Sequence, residues 1–176
     1  MLITEFINAC HNHSDINEHL PLLYTLADEC KTIVEMGVRT GNSTKAFLLS
    51  KAKLRSYDIE LNDQVKALFV EAKALGKDAE YIQADTLNLT IDDCDMLFID
   101  TLHTFNQLDA ELKLHGNKAT KYLIFHDTWY FGARGEHGDI GLLPAIIQFV
   151  IDNPHWRFKI HRTNNNGLTV LERKNG

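Results

Sequence analysis

The feature that most constrains this chain is an alternation: short β-branched or apolar runs take turns with longer segments whose apolar residues recur at helical spacing. Residues 31–36 (KTIVEM) read as a short buried strand closed by Gly37 and Gly41, and residues 43–53 as the helix that follows. A second strand at 55–59 leads to a helix at 62–75, with Val65, Leu68, Phe69, Ala72 and Leu75 on one face, stopped by Gly76. Residues 80–84 form a third strand. Residues 96–99 (MLFI) form a fourth, apolar without interruption, as in a strand covered on both faces. A helix at 105–114, a fifth strand at 122–125 and a helix at 142–151, ended by Asn153 and Pro154, continue the rhythm. The last two strands, 157–161 and 168–172, flank a turn too short for a crossover helix, so they form an antiparallel hairpin.

Strand–helix alternation in this order predicts a mostly parallel α/β sheet with helices on both faces. The expected architecture is one Rossmann-like, doubly wound domain over residues 31–176, with residues 1–30 as a helical cover belonging to it. A length of 176 residues suits a single core, and no linker or repeat suggests a boundary. The net charge of −6, without any basic run, speaks against nucleic acid as a partner. Three scattered cysteines without a CxxC pair fit a reducing compartment. The first residues lack the pattern of a secretory signal, and no apolar run has the length of a membrane span, so a cytoplasmic location is expected. A homodimer is compatible with the size.

In sheets of this kind ligands bind beyond the carboxyl ends of the strands. Those positions carry Glu35, Asp58, Asp85, Asp100 and Asp127. Gly37 and Gly41 supply the turn after the first strand, where unusual dihedrals and close backbone approach are needed. The dinucleotide pattern GxGxxG is not met, because Arg39 stands where its middle glycine would be, which disfavours a pyrophosphate guest. Asp58, at the end of the second strand, can accept both hydrogen bonds of a ribose diol.

The string VEMGVRTGNST resembles the first motif of class I S-adenosylmethionine-dependent methyltransferases, in particular the catechol, cephalosporin-hydroxylase-like and macrolide-sugar O-methyltransferase group. The later string GLLPAIIQFVIDNPHW resembles the final helix and following strand of the cephalosporin-hydroxylase-like group. The resemblance runs from about residue 30 to about residue 172. It implies S-adenosylmethionine as cofactor, with Glu35, Gly37 and Gly41 lining its site, Ser43 meeting its carboxylate, Asp85 beside its adenine amine, and Asp100 among its contacts.

The fourth strand ends in FIDTLH and the fifth in IFHDTW, which brings Asp100, His103, His126 and Asp127 to neighbouring tips. Two chemistries are open: a divalent metal site, or acid–base catalysis without metal. By the resemblance, Asp100, His126 and Asp127 are the metal positions. A histidine among them suits a transition metal better than magnesium. His103, three residues after Asp100, matches the group that takes the acceptor's proton. The loop 129–141 (WYFGARGEHGDIG) is placed to cover an acceptor, through Trp129, Tyr130 and Phe131 or through Arg134 and His137. The expected activity is O-methylation of a small-molecule hydroxyl, possible with or without metal assistance. The alternative is a non-catalytic methyltransferase-like module for ligand binding or interaction.

Overall fold

The computed structural model describes residues 2–174, so the expected domain limits at residues 1 and 176 lie outside the described residues. Seven strands make one sheet: β1 (Thr32–Met36), β2 (Lys53–Asp58), β3 (Ala79–Gln83), β4 (Cys94–Ile99), β5 (Ala119–His126), β6 (Trp156–Arg162) and β7 (Leu168–Arg173). Among the described residues six α-helices accompany them: α1 (Leu2–His11), α2 (Leu20–Asp28), α3 (Asn42–Leu49), α4 (Asp63–Ala74), α5 (Phe105–His115) and α6 (Leu142–Asp152). The strand order is β3-β2-β1-β4-β5-β7-β6. The first five are parallel, and β7 runs antiparallel to both β5 and β6. The expected Rossmann-like architecture, with its antiparallel end, is the one observed.

The side-chain period of two divides each central strand between the two faces. Ile33, Met96, Phe98 and Ile124 join one buried cluster with Phe47 of α3 and Phe69 of α4. Val34, Met36, Leu97, Ile99 and Phe125 join the other, with Leu108 of α5 and Ile146 of α6. Leu20, Leu23 and Leu26 of α2 belong to the first cluster, so the N-terminal cover packs into the same core as the sheet. Among the described residues, no helix is long and apolar enough to cross a membrane.

Several boundaries differ from expectation, and three of them have a clear local reason. Helix α3 ends at Leu49, not near residue 53, because Ser50 turns extended (ψ 170°) and its hydroxyl donates to the Phe47 carbonyl at 2.8 Å. The backbone released there enters the sheet early, with Lys53 N donating to Lys31 O at 2.9 Å. Strand β5 extends at both ends of the expected 122–125, since its two neighbours pair along it from Ala119 to His126. Residues 1–30 are not one helical stretch: the loop at residues 12–16 and a 3-10 turn (Asn17–His19) separate α1 from α2.

Phe98 is fully buried, and its ring meets Phe47 edge-on at 5.3 Å between centroids. Phe98→Ala is expected to cost about 3–5 kcal/mol, as large-to-small changes in a packed core do. The urea unfolding midpoint, compared at constant m, measures it.

Candidate functional site

The turn after β1 begins with a close approach of backbones. Asp100 N donates to Met36 O at 2.8 Å and Gly37 N to Tyr57 O at 2.9 Å, so the first turn residue is held between the tips of β4 and β2. Gly37 has φ +85°, and a Cβ there would lie 1.9 Å from the Asp100 carbonyl oxygen. Arg39 also takes a positive φ, 48°, which is uncommon for a side-chain-bearing residue. Its cost is offset by Asp58, whose Oδ2 accepts from Val38 N at 2.8 Å and Arg39 N at 2.9 Å. Gly41, with φ +75°, then starts α3.

Glu35 does not line the cleft, contrary to expectation. It is 0% exposed, and its carboxylate accepts from Ser43 Oγ at 2.6 Å, Thr44 Oγ1 at 2.9 Å and Ser56 Oγ at 2.5 Å. Glu35 therefore pins the first turn of α3 to β1 and β2 from behind. Burial raises its pKa to about 7, against the three hydroxyl bonds that lower it. Ser43 reaches both sides: its hydroxyl is bound to Glu35, while the residue also borders the cleft.

Two cavities meet at Gly37, Val38, Arg39, Asp100 and Thr101. The larger, about 480 Å³, runs under the tips of β2 and β3 and includes Tyr57, Asp58, Asp85, Leu87, Leu102 and Gln107 in its lining. Asp85 accepts from Leu87 N at 2.9 Å and Asn88 Nδ2 at 2.7 Å, which fixes its carboxylate at the cavity edge. The smaller, about 230 Å³, is bordered by Asp15, Ile16, Asn42, Ser43, His103 and Glu136. Among the expected cofactor residues, Gly37, Ser43, Asp58, Asp85 and Asp100 thus border the cleft. Gly41 shapes the turn without bordering either cavity.

Beside the smaller cavity four of the expected side chains converge. His103 Nε2 lies 3.2 Å from Asp100 Oδ1 and 2.8 Å from Asp127 Oδ2, and its Nδ1 donates to Glu136 Oε1. Phe131 stacks on the His103 ring, 4.7 Å between centroids and 3° from parallel. Burial alone would lower the His103 pKa, but Asp100 and Asp127 raise it to about 10. Burial would raise the Asp127 carboxyl, but His103 and His126 hold it far below its ordinary value; Asp100 is also held low, by the same two imidazoles. The expected role of His103 as proton acceptor falls on a ring bonded to carboxylates through both nitrogens, a surrounding that favours its protonated form.

His126 lies on the buried side of the same cluster. It is buried, and its Nε2 donates to the carbonyls of Asp15 at 3.1 Å and Asn165 at 3.3 Å. Its Nδ1 lies 3.4 Å from Asp100 Oδ2 and 3.3 Å from Asp127 Oδ2. The ligand-type atoms that come together within 4.8 Å are those of Asp100, His103 and Asp127, with His126 outside the group. Asp127 Oδ1 is buried and has no hydrogen-bond partner, and Asp127 has φ +59°. Asp127 Oδ2, beside His103 Nε2 at 2.8 Å and in one group with an Asp100 oxygen, makes a donor set compatible with a divalent cation.

Several lining residues escape a reading of the sequence. Asp15 reaches the cleft from the loop before α2, where its carboxylate holds Arg39 Nη2 at 2.6 and 2.9 Å. That loop is tied to the β6–β7 turn, since Asn165 Nδ2 donates to Ser14 O at 2.7 Å and its Oδ1 accepts from Glu18 N at 3.0 Å. Neither contact leaves a periodic signal. In the loop 129–141 it is Glu136, not Arg134 or His137, that borders the cleft, and Trp129 and Tyr130 stay 59% and 68% exposed.

No family model and no curated protein sequence matches this chain. Solved structures do. A methyltransferase of Podospora anserina bound to S-adenosylhomocysteine superposes with a TM-score of 0.64 at 16% identity, covering 99% of this chain and 88% of that one. The N-methyltransferase NodS of Bradyrhizobium japonicum, also with S-adenosylhomocysteine, gives 0.66 at 11% identity over 99% of both chains. The magnesium protoporphyrin IX methyltransferase of Synechocystis with bound S-adenosylmethionine gives 0.67 at 13%, over 97% of this chain and 91% of that one. The fold is that of S-adenosylmethionine-dependent methyltransferases.

Glu35 yields a pH test. Its folded pKa, about 7, lies above the unfolded value of 4.5, so the folded state holds the proton more tightly. This contribution to stability is full below pH 4.5 and is lost as pH rises towards 7, by about 3 kcal/mol. Glu35→Gln is expected to gain on the parent protein over that window, measured by urea midpoints at pH 5 and pH 8.

Proposed function

We propose that this chain binds S-adenosylmethionine across the two joined cavities and transfers its methyl group to a hydroxyl of a small molecule. The observation that carries the reading is the division of labour around Gly37: a largely apolar chamber edged by Asp58 and Asp85 on one side, and the start of α3 with the carboxylate–imidazole cluster on the other. The first suits an adenosine, whose ribose diol needs an acceptor such as Asp58 and whose amine needs one such as Asp85. The N-terminus of α3, bordered by Asn42 and Ser43, favours the carboxylate of the methionine part. The turn lacks the middle glycine of a dinucleotide loop, since Arg39 stands there with its side chain paired to Asp15.

Methyl transfer breaks the sulfonium C–S bond and forms a C–O bond, while the acceptor loses its proton. A protein serves it mainly by alignment and by easing that proton loss. In this chain Asp100, shared by both cavities, presents a carboxylate towards the acceptor, while Asp127, Phe131 and Glu136 fix His103. A divalent ion held by Asp100, His103 and Asp127 would supply Lewis-acid lowering of the acceptor hydroxyl's pKa. The concentration of buried, strongly shifted titratable groups at one cleft favours catalysis over a passive binding module.

Calorimetry tests the cofactor. S-adenosylhomocysteine is expected to bind and NAD to give no heat, and Asp85→Ala to weaken S-adenosylhomocysteine about tenfold through one lost hydrogen bond. Binding of NAD without S-adenosylhomocysteine would overturn the proposal. Transfer of labelled methyl to a panel of catechols and sugars then identifies the acceptor.

A further inference from the structure

Helix α5 carries Gln107, Glu111 and His115 four residues apart, so the three side chains form one stripe along it. The stripe is polar, yet Glu111 and His115 are 0% exposed. It runs beside the apolar stripe of Leu108 and Leu112, which belongs to the core. A carboxylate in such a place needs donors, and Glu111 has three. Its Oε1 accepts from Thr86 Oγ1 at 2.6 Å and Gln107 Nε2 at 2.9 Å, and its Oε2 from Thr101 Oγ1 at 2.8 Å. Burial raises the Glu111 pKa, and these three bonds pull against the rise.

All three donors come from residues that border the larger cavity: Thr86 after β3, Thr101 after β4 and Gln107 in the first turn of α5. Glu111 acts on that cavity from behind its wall. His115 adds a second hold, since its Nε2 donates to Thr86 O at 2.8 Å. The turn that presents Asp85 is thereby tied to α5 through both the side chain and the carbonyl of Thr86. An ionised carboxylate only accepts, so it takes the NH2 end of the Gln107 amide. The end left for the cavity is the carbonyl oxygen Oε1, an acceptor. The Gln107 backbone is fixed as well, its N–H donating to Thr104 Oγ1 at 3.3 Å.

We infer that Glu111 is a positioning residue for the larger cavity: by holding Gln107 in one amide orientation, it makes the wall select a purine with an exocyclic amine over one with an oxygen there. The amine of adenine carries a hydrogen for Asp85 and another for Gln107 Oε1. Hypoxanthine would set a carbonyl oxygen against both acceptors, and such a mismatch is what discriminates between otherwise equal guests. The inference rests on the proposed binding of an S-adenosyl ligand in this cavity and adds the residue that sets base selectivity without touching the base.

The test compares S-adenosylhomocysteine with S-inosylhomocysteine, its deaminated analogue, by calorimetry on the full chain. The parent protein is expected to prefer the first by about tenfold or more. Glu111→Gln can donate as well as accept, which frees the Gln107 amide to turn. It is expected to cut the preference about fivefold, and Gln107→Leu by a similar factor. In the Gln107→Leu background, Glu111→Gln is expected to change the preference no further, since its effect passes through Gln107. Thermal midpoints check that each variant folds. If Glu111→Gln does not, Gln107→Leu, which leaves Glu111 its two threonines, decides by the same ratio. Equal binding of both ligands by the parent, or a preference unchanged in either folded variant, would overturn the inference and leave the cofactor reading standing. An additive loss in the double variant would overturn the positioning role of Glu111. A parent protein that binds neither ligand overturns the cofactor reading and the inference together.

Discussion

The contact between the Gly37 backbone and the Asp100 carbonyl oxygen sets the distance between β1 and β4 at their carboxyl ends, and the cleft is arranged around it. A side chain at Gly37 would push the tips apart. Without one, Asp100 can follow Met36 directly in the ladder, and its carboxylate is delivered to the junction of the two cavities. Asp58 secures the same turn from the other side by occupying two of its N–H groups. Glu35 does so from beneath, through three hydroxyls. Three acidic residues thus act on one turn, and only Asp58 and Asp100 face the cleft.

Charge is balanced locally at the chemical end. Asp100, Asp127 and Glu136 surround His103, and His126 touches the two aspartates from the buried side. Bringing such groups out of water is costly unless each finds a partner, and here every carboxylate has an imidazole within reach. The raised pKa of both histidines and the lowered ones of both aspartates are two views of that mutual attraction. His126 is shielded and permanently engaged, whereas His103 borders the cavity.

The sheet was legible because the strands announce themselves by period: the MLFI run of β4 divides Met96 and Phe98 from Leu97 and Ile99, as alternation requires. The positions of Asp58, Asp85, Asp100 and Asp127 followed from strand ends alone. The roles of Glu35, His103 and His126 did not, since they depend on where a side chain points within a tip. His126 ends β5 in register with Leu168 and turns towards Asp15 and Asn165, whereas the positive φ of Asp127 sends the next residue elsewhere. Asp15 and Glu136 come from irregular loops, joined to the site by polar contacts that no spacing rule encodes.

Asn165 links two regions that are otherwise remote along the chain. Through it the turn between β6 and β7 holds residues 14 and 18, and His126 binds the carbonyls of both Asp15 and Asn165. The loop at residues 14–18 beside the smaller cavity is therefore fastened to the antiparallel edge of the sheet and, through His126 and Arg39, to the ends of β5 and β1 as well. A displacement of that loop would strain the hairpin turn that holds it. On the opposite side the larger cavity is edged by Ile59 and Leu102, both exposed apolar side chains.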